Sequence, residues 1–198
     1  MITEYSALAS APLKTCASFV RPSHSLPARV KLSNPATDAM TDLSKVSVVS
    51  VRAATSMNKA NAKMIKYGVR LLLVLDDEEQ VAGIITATDI LGEKPMRFLQ
   101  QMGGTHADIL VSDIMTPQSE LEVLDIEDVK NAKIGSIVAS LKKMNRQHAL
   151  VATSMPDGCQ MVCGIFSATQ IGRQLGAQAQ SFEIARTFAE IEAAIAKG

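Results

Sequence analysis

The chain has 198 residues, 47% of them apolar and 20% charged, the profile of a globular protein with enough length to bury one sizeable core or two small ones. Twenty basic residues balance twenty acidic ones, so no net field draws the chain to nucleic acid or to an anionic membrane surface. No apolar run approaches the roughly 20 residues of a spanning helix, so neither a nucleic-acid nor a membrane partner is expected.

Residues 1–34 hold Pro12, Pro22 and Pro27 among Ser, Ala and Thr without sustained period, and are expected to form a mobile or loosely docked arm. Glu4 comes early and no basic segment precedes an apolar core, which argues against a signal peptide and for a cytoplasmic protein. Cys16, Cys159 and Cys163 read as thiols in a reducing compartment, since no His or second Cys pair stands at metal-ligand spacing.

Residues 35–94 form a first unit. A short helical turn is expected at PATDAMTD from Pro35, and the β-branched run Val46, Val48, Val49 and Val51 predicts a strand. A helix is predicted over 53–67, with Met57, Ala60, Met64 and Tyr67 on one face and Gly68 placed to end it. LLLVLD (71–76) and VAGIIT (81–86) read as a tight hairpin, followed by a helix from Ala87 that gives out by Gly92. Residues 95–112 are a connector with Pro95 at the first helical position, two turns of MRFLQQM, and a stop at Gly103 and Gly104.

The pattern then restarts over 113–176. DIMTP at Asp113 answers DAMTD at Asp38, residues 121–126 answer the valine run, and 132–144 repeat the helix with Ile134, Ile137, Val138 and Leu141 inward. HALVAT answers LLLVLD and MVCGIFS answers VAGIIT. Neither unit has the apolar surface to stand comfortably alone, so the two are expected to pack as one pseudo-symmetric domain. Residues 177–198 predict an amphipathic helix, with Phe182, Phe188, Ile191 and Ile195 largely on one side. It could cover its own domain or form an interface with another copy or a partner.

Each unit closes on the same turn, GIITATD (83–89) and GIFSATQ (164–170). The hydroxyl of Thr86 or Ser167 is placed to cap the following helix, and Asp89 or Gln170, three residues on, to reach back to the cap amide. Such a terminus gathers backbone N–H groups and suits an anion.

With the repeat laid out, the chain resembles a pair of CBS domains, the tandem known as a Bateman module. The match is carried by DAMTD and DIMTP, GVRLLLVLD, GIITATDIL and GIFSATQIG, and runs from about Asp38 to Leu175. The resemblance implies an α+β fold of two β-α-β-β-α units packed through their sheets. It also implies two clefts between them for adenosine derivatives such as AMP, ADP, ATP or S-adenosylmethionine, and assembly as a homodimer. Family members mostly regulate a fused enzyme or transporter. Without one in this sequence, the module is expected to sense its ligand and signal to an unidentified protein partner in trans. The alternative is a scaffold with vestigial clefts that acts through dimerisation and its C-terminal helix.

Carried over from the family, Asp89 is the expected acceptor for ribose hydroxyls and Thr86, with Thr88 beside it, the expected phosphate contact. An ionised carboxylate can accept from two neighbouring hydroxyls. Ser167 and Gln170 are their counterparts, but Gln170 lacks the anionic acceptor, so the module is expected to be asymmetric with the Thr86 turn as its working half. Arg70, Arg146 and His148 precede the middle strands and are candidates for phosphate. Val49, Ser50 and Leu71 are expected to flank adenine. No Ser/His/Asp, Cys/His or metal constellation, P-loop or GxGxxG is readable, so catalysis is not expected and no cofactor is required.

Overall fold

The computed structural model describes residues 26–176; the expected C-terminal helix over 177–198 and the arm up to residue 25 lie outside the described residues. After a 3-10 turn at Ala36–Ala39 come β1 (Thr41–Asp42), β2 (Ser50–Arg52), α1 (Met57–Tyr67), β3 (Leu71–Leu75), β4 (Val81–Thr86) and α2 (Ala87–Leu91). A connecting α3 (Lys94–Met102) leads to α4 (Val111–Ile114), β5 (Thr116–Pro117), β6 (Val123–Asp125), α5 (Ile126–Asn131), α6 (Ile134–Met144), β7 (His148–Ser154), β8 (Gln160–Ser167) and α7 (Ala168–Gln174). The fold is α+β, as expected.

Its two four-stranded sheets run β2-β3-β4-β5 and β1-β8-β7-β6, so each takes an edge strand from the other unit. β1 pairs antiparallel with β8, Thr41 opposite Ile165, and β5 pairs antiparallel with β4, Thr116 opposite Ile84. The two D-x-M-T segments thus lock the units together. Their close approach explains the Gly that opens each turn motif. A Cβ on Gly83 would lie 2.4 Å from the Thr116 carbonyl oxygen, and one on Gly164 would lie 2.5 Å from Met40 Sδ.

Side-chain alternation along β3 divides the core. Leu72 and Val74 pack with Met57, Ala60 and Met64 of α1 and with Ile109, Val111 and Ile114 from the crossing segment. Leu71 and Leu73 point the other way, onto Ile84 and Leu150, and join the two sheets. The second unit has its own core, where Ile134, Ile137 and Leu141 of α6 meet Val151, Phe166 and Ile171, closed by Ala36, Ala39 and Met40. Both faces of β3 are therefore buried, which is why it reads as an unbroken apolar run.

Three boundaries differ from expectation. The strand expected over 46–51 is limited to Ser50–Arg52, because β2 pairs with β3 only from Ser50 opposite Leu73 to Arg52 opposite Leu75. Val48 is exposed, and β propensity without a ladder partner makes no strand. The first long helix starts at Met57 rather than Ala53, because the carbonyls of Ala53 and Thr55 accept from Ser112 and Val111 N–H at 3.0 and 2.8 Å. Pro95 stands second in α3, after Lys94. The helix ends hold: Gly68 closes α1 at φ 64° and Asn145 closes α6 at φ 51°, both left-handed.

Residues 26–34, expected to belong to a mobile or loosely docked arm, dock on the second unit. Val30 N–H donates to Gln174 O at 3.0 Å, and the carbonyls of Leu32 and Asn34 accept from Gly135 and Ile134 N–H at 2.9 and 3.0 Å. Gln174 Nε2 donates to the carbonyls of Pro27 and Asp38 at 2.9 and 3.0 Å, so a single buried amide ties this segment to α7.

Candidate functional site

The two turns at the ends of β4 and β8 are built alike up to one atom set. At the first, Asp89 N–H donates to Thr86 Oγ1 at 3.3 Å, while Asp89 Oδ2 accepts from Thr86 N–H at 2.8 Å and from its hydroxyl at 2.7 Å. The full capping box read from the sequence is present. At the second, Gln170 N–H donates to Ser167 Oγ at 3.5 Å, but the reciprocal bond from Ser167 N–H to the Gln170 side chain is not made. The expected box is half formed there, and the Gln170 amide lines a cleft instead.

Each turn faces a cleft whose opposite wall comes from the other unit. The first cleft joins Thr86, Thr88 and Asp89 to Thr116 of β5 and to the stretch Asn145, Arg146, Gln147 and His148 that leads into β7. The second joins Ser167, Thr169 and Gln170 to Thr41 of β1 and to the matching stretch Gly68, Val69, Arg70 and Leu71 that leads into β3. The clefts are related residue for residue by the repeat but differ in size, about 140 Å³ for the first and about 460 Å³ for the second. Only the second falls in the usual range for small-molecule sites, about 300–1,000 Å³.

Residues 36–95 match the family model of the CBS domain. A CBS-domain-containing protein of Agrobacterium tumefaciens shares the fold at a TM-score of 0.52, 18% identical, over 72% of this chain and 94% of that one. The first unit is a CBS domain, and the two units together have the fold of a CBS pair. An uncharacterized conserved protein of Pyrococcus horikoshii has the same fold at a TM-score of 0.53, 22% identical, over 77% of this chain and 99% of that one. CBSX2, a CBS-pair protein of Arabidopsis thaliana solved with AMP, is also similar, at a TM-score of 0.49, 22% identical, over 71% of this chain and 94% of that one. Comparison with curated proteins gives no match.

In the first CBS domain the expected ribose acceptor is already engaged. Asp89 is only 8% exposed, its Oδ2 is used by the cap, and its Oδ1 lies 2.6 Å from Lys94 Nζ. Lys94 Nζ also donates to Ile114 O at 3.0 Å, which fixes it between the two units. On the far wall, Arg146 donates to Glu120 O at 2.9 Å.

The second cleft has the opposite electrostatics. Arg70 Nη1 reaches across to Thr169 Oγ1 at 2.7 Å, and Arg173 of α7 stands near enough to oppose its charge. Burial first, and then the Arg173 charge, lower the Arg70 pKa. No carboxylate is among the described residues lining this cleft. His148 lines both clefts. Close enclosure by protein, reinforced by the Arg70 charge and opposed by Asp89, holds its pKa down to about 4, so it is neutral at pH 7.

The structure therefore brings Thr86, Thr88, Asp89, Arg146 and His148 together in one cleft and Arg70, Leu71, His148, Ser167 and Gln170 in the other. Val49 and Ser50 line neither. The parallel register sets Ser50 level with Leu73, two residues down β3 from the cleft-lining Leu71, and Ser50 faces a different cavity. Sequence reasoning missed Lys94 and Arg173, as well as Thr169, the counterpart of Thr88. Arg173 carries a readable signal, lying one turn beyond Gln170 on α7. Lys94 follows the Gly92 that ends α2, and its return to Asp89 depends on how α3 leaves that turn.

Among the described residues no three His, Cys, Asp or Glu side chains group as a metal site, and no helix is long and apolar enough to cross a membrane.

Proposed function

We propose that this CBS pair is a non-catalytic sensor that binds an adenosine-containing phosphate ester, of the AMP, ADP or ATP class, in the cleft between Ser167–Gln170 and Gly68–Leu71. The observation that carries this reading is a cleft of about 460 Å³ between the two units with Arg70 and Arg173 both in its wall. A guanidinium pair suits a phosphate through its planar donors. The Gln170 amide can both donate to and accept from ribose hydroxyls, and Leu26, Leu71 and Ile165 offer apolar contact to a base. The same charges rank phosphate esters above S-adenosylmethionine, whose sulfonium and ammonium would meet two arginines.

Both walls of the cleft come from different units, so a ligand that bridges them favours one relative placement of the units. The shift it can impose on a protein partner in trans is bounded by its differential affinity for the two placements. The proposal includes a cytoplasmic homodimer. Ile65 and Tyr67 of α1 and Leu91 of α2, which packs beside it, are apolar and more than half exposed, and burying them in a second copy would be favourable. Calorimetric titration of the purified chain with AMP, ATP and S-adenosylmethionine tests the reading. Saturable heat for AMP or ATP, weaker for S-adenosylmethionine, is expected; the absence of heat and of thermal shift at millimolar nucleotide overturns it.

A further inference from the structure

A second cavity, of about 350 Å³, lies at the far end of β2 and β3 from the nucleotide cleft, wholly within the first unit. Arg52, Lys59 and Lys63 line it, together with Thr55 and the apolar Val51 and Leu75. Lys63 Nζ donates to Ser50 O at 2.6 Å, which holds that ammonium at the wall. Lys59 stands one turn earlier on α1 and makes no hydrogen bond or ion pair with a described residue.

The repeat supplies an internal control. At the places of Arg52, Lys59 and Lys63 the second unit carries Asp125, Ser136 and Ser140, by strand register and by position in two helices of equal length. That unit completes the same strand, helix and hairpin without any of the three cations. The fold therefore does not require the basic cluster.

A further departure concerns Glu79. In the hairpin of the second unit the left-handed turn position is held by Gly158, at φ 85°, whereas in the first unit Glu79 adopts φ 63°. A non-Gly residue accepts that conformation at a cost. Its carboxylate is thereby brought over the cavity, where it pairs with Arg52. Glu79 is placed as an internal anion on a site otherwise lined by cations.

We propose that this cavity is a second anion site, distinct from the nucleotide cleft, which takes a small phosphorylated molecule whose phosphate displaces the Glu79 carboxylate from Arg52 and is held by Arg52, Lys59 and Lys63. Charge-assisted bonds from three cations define the phosphate end, and the apolar Val51 and Leu75 leave room for a small organic body.

Lysine acetylation of the intact protein by a water-soluble acylating reagent, read residue by residue by mass spectrometry, tests this with inorganic pyrophosphate as the probe and chloride at matched ionic strength as control. Pyrophosphate is expected to slow acetylation of Lys59 and Lys63 about fivefold or more, as expected when ammonium groups are held in charge-assisted bonds, while Lys66 on the same helix is unchanged. The protection is expected to persist in Arg70→Ala, which disables the other cleft. Glu79→Gln, which removes the competing carboxylate, should produce the same protection at lower pyrophosphate. Equal slowing of Lys66, no protection at all, or protection that disappears in Arg70→Ala would each overturn the proposal.

Discussion

Lys94 Nζ lies 2.6 Å from Asp89 Oδ1, so the carboxylate that resemblance would give to a ribose is held by the protein's own cation. With Oδ2 spent on the helix cap, a ligand must compete with an ion pair in which one partner is almost wholly buried. Two effects oppose each other on removal of Lys94. Asp89 loses its counter-ion, at a cost of about 1–2 kcal/mol for a buried carboxylate paired with a half-exposed ammonium. A diol, however, gains a free acceptor. Lys94→Met is therefore expected to lower the urea midpoint yet let ribose, a diol small enough for the cleft of about 140 Å³, bind the variant and not the wild type. No heat for ribose in calorimetry of the variant would show that Lys94 does not close the first cleft.

Arg70→Ala separates the phosphate contribution from the rest of the ligand. Hydrogen bonds to charged groups contribute about 1.5–3 kcal/mol, so AMP affinity is expected to fall about tenfold or more. Adenosine, which carries no phosphate, should bind wild type and variant within about twofold of each other, since a phosphate-directed contribution is absent from it. A parallel loss for both ligands, measured by calorimetry, would make Arg70 a structural residue.

The two motif glycines should not respond equally to a methyl group. The Cβ of Gly83→Ala meets the backbone carbonyl oxygen of Thr116 at 2.4 Å, and relief requires the β4–β5 pair to part. Gly164→Ala meets Met40 Sδ at 2.5 Å and Cγ at 2.9 Å, a clash with one side chain rather than with backbone, which the flexible Met can relieve by changing rotamer. Overpacking costs of about 1–3 kcal/mol are expected at Gly83 and less at Gly164. Equilibrium unfolding of both variants checks the order.

His148 makes stability depend on acid. Its folded pKa of about 4 lies below the ordinary 6.5, so between those values the unfolded chain binds the proton and the folded chain does not. Stability is therefore full above about pH 6.5 and is lost as pH falls towards 4, by at most about 3 kcal/mol from this residue. His148→Gln should flatten that part of the acid limb in unfolding measured from pH 7 to pH 4. A phosphate near the ring raises the bound-state pKa, so nucleotide binding should take up protons and tighten as pH falls below about 6. Proton uptake near zero in buffers of different ionisation heat would contradict it.

Much of this architecture is legible in the sequence because the signals are local. Gly68 and Asn145 mark helix ends by backbone geometry, Thr86 and Asp89 mark a cap by spacing, and the repeated D-x-M-T and Gly-x-x-Thr/Ser segments expose the duplication. What stays hidden is long-range. That β1 crosses to β8 and β5 to β4 cannot be read from either strand, and that crossing truncates the start of α1 by taking the carbonyls of Ala53 and Thr55. The same holds for the site. The sequence favours the Thr86 turn because it keeps a carboxylate, while the folded chain sets Lys94 on that carboxylate and opens the larger cleft at Gln170. The resemblance puts Val49 and Ser50 beside adenine, whereas the strand register sets Ser50 on another cavity and Val49 lines neither cleft.

The most direct test of a ligand held between the two units is an amide-resolved NMR titration of the full chain with AMP. The account predicts that resonances of Ser167–Gln170 and of Gly68–Leu71, on opposite walls of one cleft, shift together along a single saturable curve. Shifts confined to one wall, or none at millimolar AMP, would contradict it.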